Sequence, residues 1–143
     1  MVTAELESLY DRYIDEAEQA EMERRPGDGL LGIGKTPDND PCHDRFVNDL
    51  ETIISHLSED GRDSSEMLEQ LLFIYKAPLE HRKPASVYWM LLAVHGMTLP
   101  MIRGLDVADA ESLSQWYKEK YPRRERFPAQ KQVIKTLKDI TKR

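Results

Sequence analysis

Residues Gly29 to Thr36 read GLLGIGKT, and Gly29, Gly34, Lys35 and Thr36 stand at the spacing of a phosphate-cradling loop. Such a loop works by turning sharply out of a buried strand, so that its N–H groups and the start of the next helix face the phosphates. Here the charged stretch EQAEMERRP precedes the first glycine and PDNDP follows the threonine. No apolar strand ending in Asp is available to hold magnesium. The match is therefore read as chance, and no nucleotide, metal or other cofactor is expected.

Cys42, His43 and Asp44 form a second group with chemical potential. Asp40 and Pro41 suit the cap and first position of a helix, which would put the Cys42 thiol near the positive end of a helix dipole. A nucleophile also needs a base and an oxyanion site. His43 points about 100° away from Cys42 on a helix. His43-Asp44 is the dipeptide of the all-α metal phosphohydrolases called HD domains, but those need a further histidine upstream, and His43 is the first in this chain. His56 falls on the far side of the same helix, and Pro84 separates His81 from His95. No Glu-x-x-His or His-x-x-x-His pair is present to share a helix face. His43 is expected to be a packed, hydrogen-bonded histidine. A hydrolase using His43 and Asp44 is the rival to a non-enzymatic reading.

Charge supplies the third group. Residues 117–143 hold ten Lys and Arg against three Asp and Glu, whereas residues 1–116 hold ten against twenty-three. An acidic body thus carries a basic end. Arg123, Arg124 and Arg126 lie between Pro122 and Pro128, on an expected exposed connector. Lys131, Lys135, Lys138 and Lys142 make one ridge at spacings of four, three and four. Phosphates fit such a row, but with no aromatic interleaved it is poorly suited to stacking single strands.

These groups must be positioned by helices. No segment alternates with period two, and apolar residues recur at helical spacing. The spacing predicts helices over 3–24, from Pro41 through a stripe of His43, Phe46, Val47, Leu50, Ile53, Ile54 and Leu57, and from the Asp63–Glu66 capping box to a stop at Pro78. A fourth, PASVYWMLLAVHG, is apolar on nearly all sides and is expected to be the central buried element over about 84–95, with Trp89, Leu92 and Phe46 in the core and Gly96 as its stop. A short turn follows between Thr98 and Gly104. A fifth helix runs from about Asp106 to Tyr121 with Val107, Ala110, Leu113, Trp116 and Tyr117 inward. The last runs from Pro128 to about 142, packing through Val133, Ile134, Leu137 and Ile140. The expected class is all-α, one domain over residues 1–143, an irregular bundle of about six helices.

Residues 26–40 form a predicted loop with four glycines and two prolines. Loops of that length inside a compact domain tend to be functional or disordered. Leu30, Leu31 and Ile33 are expected to tuck against the body and leave Lys35, Asp38 and Asp40 exposed as candidate binding residues. The candidate set is thus Lys35, Asp38, Asp40, Cys42, His43, Asp44, Arg123, Arg124 and Arg126, with no catalytic or metal residue assigned.

At 143 residues and 40% hydrophobic content, the chain is long enough to bury a core without staples. Its longest apolar run, Val87 to Val94, falls well short of the roughly 20 residues needed to span a bilayer. Met1 leads into Glu5 and Glu7 with neither the basic nor the apolar region of a leader. Cys42 is the sole cysteine. These features predict a cytoplasmic protein without a membrane contact. The expectation for function is a protein-binding or regulatory module. Nucleic acid binding through the basic end is the second alternative, and self-association is compatible with the sequence.

Overall fold

A computed structural model describes residues 3–22, 41–60, 63–82, 85–122 and 127–142. The protein is all-α, and among the described residues there is no strand. The described residues form seven α-helices: α1 (Ala4–Met22), α2 (Pro41–Glu59), α3 (Ser64–Glu80), α4 (Ala85–Ala93), α5 (Leu99–Ile102), α6 (Val107–Lys120) and α7 (Pro128–Thr141). A 3-10 turn over Val94–Thr98 joins α4 to α5.

Side chains start three of these helices by accepting otherwise unpaired backbone N–H groups. Thr3 Oγ1 accepts from Leu6 at 3.2 Å, Asp63 Oδ1 from Glu66 at 2.8 Å, and Asp106 Oδ1 from Asp109 at 2.8 Å. Ser64 Oγ accepts from the N–H of Asp106 at 2.9 Å, which ties the start of α3 to that of α6.

One continuous core receives the apolar stripes of α1, α2, α3, α4, α6 and α7. Its α1–α2 side is aromatic. Tyr13 stacks on Phe46 with ring centroids 4.2 Å apart, and Tyr10 meets Phe46 edge-on at 5.1 Å. Phe46 and Leu92 are buried as expected. In a second aromatic group Tyr75, His95, Tyr117 and Tyr121 pack together, and the Tyr121 hydroxyl donates to the Tyr75 carbonyl at 2.6 Å. α7 docks through Gln130, Val133, Leu137 and Ile140, with Ile134 half-buried.

Four expectations are corrected. Trp89 is 59% exposed instead of buried. In α4 the side chains of Val87, Met90 and Leu91, continued by Val94, share the core-facing side, and at about 100° per residue Trp89 falls opposite them. A helix apolar all round does not reveal which side turns outward. Val107, at the first position of α6, is 41% exposed, about a quarter-turn from the Ala110–Leu113–Tyr117 stripe. Pro78 lies inside α3 instead of ending it. Only Leu79 and Glu80 follow it before the helix ends, closed by the His81 N–H donating to Ala77 O at 3.1 Å. Gly96 does not stop the chain either, since the backbone continues through it as the 3-10 turn into α5.

Candidate functional site

Lys35, Asp38, Asp40, Arg123, Arg124 and Arg126, with the whole Gly29–Thr36 stretch, lie outside the described residues. Cys42 and His43 fall in the first turn of α2, and the Cys42 side chain also lies outside them. His43 is buried, with Nδ1 3.3 Å from the Tyr13 hydroxyl, which is itself 2.7 Å from Met90 Sδ. Asp44 points to solvent. The two members of the His-Asp dipeptide therefore face different media. Among the described residues no three His, Cys, Asp or Glu side chains are grouped to hold a metal ion.

The cleft between α1 and α2 is a structural seam. It has a volume of about 340 Å³ and is crossed by Arg12–Asp49 at 2.9 Å and Arg45–Glu16 at 3.5 Å. These exposed pairs contribute about 0–1 kcal/mol each.

His95 was considered in the sequence only as a metal ligand. It is fully buried, and its Nδ1 shares a 2.9 Å hydrogen bond with the Tyr117 hydroxyl. Burial pulls its pKa down to about 3, so the imidazole is neutral at pH 7. A fully covered neutral histidine ringed by tyrosines organises the core and does not meet a substrate.

The surface offers something different. Among the described residues the exposed large hydrophobic side chains are Trp89, Phe127 and Val107, and two of these are neighbours. Trp89, Leu92 and Ala93 of α4 and Phe127, Pro128 and Ala129 at the head of α7 line a groove of about 380 Å³. The only side-chain hydrogen-bonding group in that lining is the indole N–H of Trp89.

Each wall is held by local structure. Trp89 projects from a helix whose other side is fixed in the core. Phe127 precedes α7 in extended conformation, its N–H donating to Oε1 of the buried Gln130 at 2.8 Å, with Pro128 pre-set for the first helical position. Gly96 packs against α7 beside the groove, where a Cβ would meet Gln132 Oε1 at 3.4 Å and Ala129 Cβ at 3.5 Å, both ordinary contacts.

Beyond the groove lies the lysine row, on the exposed side of α7. Lys131 follows Phe127 by four residues, and Lys135, Lys138 and Lys142 extend the same side of α7. All four lysines are exposed, and none forms an ion pair among the described residues. Sequence reasoning found the row but missed the groove, because Trp89 was assigned to the core and Phe127 was hidden between Arg126 and Pro128. No described helix is long and apolar enough to cross a membrane. Comparison of the chain with protein-family models, with curated proteins and with solved structures finds no match.

Proposed function

We propose that the protein is a non-enzymatic docking module whose partner-binding surface is the Trp89–Phe127 groove. The observation that carries this reading is the pairing of a Trp and a Phe, 59% and 47% exposed, across an apolar cleft. Leaving two large aromatic faces in water forgoes roughly 25 cal/mol for each Å² that a partner could cover. Trp is also among the side chains that most often dominate protein interfaces, since it offers large area with little entropy to lose. The remaining features support binding over turnover. His95 is sealed in the core, His43 faces Tyr13, and the α1–α2 cleft is bridged by its own charges.

The test is site-specific photo-crosslinking in cells that express the protein. A benzophenone amino acid replacing Phe127 should yield discrete protein adducts, and the same group replacing Val107, exposed on α6, should not. Equal labelling from both positions, or none from either, contradicts the reading.

A further inference from the structure

Phe127 lines the groove and stands four residues before Lys131, the first cation of the lysine row, and that proximity says what kind of chain fits the surface. Phe127, Lys131, Lys135, Lys138 and Lys142 advance along α7 by four, four, three and four residues, so each sits about one helical turn beyond the last. The apolar end lies at the head of the helix, and the cations extend about 22 Å from it. Asp139 is the one acidic residue of α7, four positions after Lys135, and it leaves the row strongly positive. Much of the remaining chain is acidic, so these lysines stand out against a negative body.

We propose that this surface receives an acidic amphipathic helix of a partner protein. Apolar side chains from the first turn of that helix sit between Trp89 and Phe127, and Asp or Glu at spacings of three and four lie over Lys131, Lys135 and Lys138. The proposal rests on reading the groove as a docking surface and specifies its occupant. Two observations favour a helix over a nucleic acid. The groove lining provides a single side-chain hydrogen-bonding group for base edges, and both aromatics are at one end of the row instead of alternating with the cations. A helix with a hydrophobic end and an acidic stripe matches both parts of the surface.

Fluorescence anisotropy on the full chain tests this with four labelled probes. The first is a synthetic helix of about 16 residues with Leu and Trp in its first turn and Glu along the same side. The second carries Lys in place of every Glu, the third carries Ser in place of the two apolar anchors, and the fourth is a short oligothymidylate. The first probe should bind at least about tenfold more tightly than the others and more weakly as salt rises. Trp89→Ser should weaken it about tenfold with an unchanged circular dichroism spectrum. The double variant Lys131→Glu/Lys135→Glu should weaken the first probe and strengthen the second, a reversal that misfolding cannot produce. Equal affinity for the acidic and basic helices, indifference to Trp89→Ser, or tighter binding of the oligothymidylate in competition with the acidic helix would each overturn the proposal. If position 127 crosslinks to a protein but the acidic helix does not bind, the docking surface stands and the acidic occupant falls. If both fail, both fall.

Discussion

Trp89 of α4 and Phe127 at the head of α7 face each other across one apolar groove, although 38 positions separate them in the chain. Their exposure has a direct energetic consequence. Trp89→Ala should cost at most about 2 kcal/mol, because more than half of Trp89 stays in water in the fold. Leu91→Ala, two residues on and fully buried, should cost about 2–5 kcal/mol. Urea unfolding of the two variants checks this, and comparable losses would mean that Trp89 belongs to the core.

A second expectation concerns acid. His95 is depressed by burial to about 3 in the fold, against 6.5 for an ordinary histidine. Between those values the unfolded chain holds the extra proton, so this contribution is fully present above pH 6.5 and is lost as the pH falls toward 3. The loss between pH 7 and pH 5 is about 2 kcal/mol. His95→Gln is less stable at pH 7, but its stability should fall correspondingly less over that range. Parallel stability curves for the two proteins would show that His95 does not contribute the slope.

The attachment of α7 should survive salt. Val133, Leu137 and Ile140 are buried, each worth about 1.5–3 kcal/mol of transfer free energy, whereas exposed charge pairs give about 0–1 kcal/mol and are screened. Limited trypsin digestion should spare the Lys131–Lys142 segment at low and high salt alike. Rapid loss of residues 128–143 in either buffer would mean that the basic helix is a free arm.

Nucleotide binding is a fourth check. The glycine-lysine stretch at Gly29–Thr36 has the letters of a phosphate loop, but a charged stretch precedes it and PDNDP follows it. Titration with magnesium ATP or GTP should give no binding heat. Measurable affinity that Lys35→Ala abolishes would contradict this.

The contrast between α7 and α4 shows what the sequence made legible. α7 alternates an apolar stripe with lysines, so its buried side, its exposed side and its start at Pro128 all follow from helical spacing. The cap at Asp63 was equally readable, because a cap is a local bond. α4 carries no such contrast. Only tertiary packing decides that Val87, Met90 and Leu91 turn inward and Trp89 outward. The groove was illegible for the same reason, since it forms where two distant segments meet and its Phe127 belongs to no stripe. His95 shows the complementary gap: its spacing argues against a metal role, but nothing in the sequence reveals that the fold uses it as packing.

The most direct measurement is acrylamide quenching of Trp89 in the Trp116→Phe variant, where it is the sole indole. An open groove predicts efficient collisional quenching, independent of protein concentration, that falls when the acidic helical peptide is added. Strong protection of Trp89 in the isolated protein at every concentration would mean that the chain fills its own groove, and the docking surface proposed for this protein would not exist.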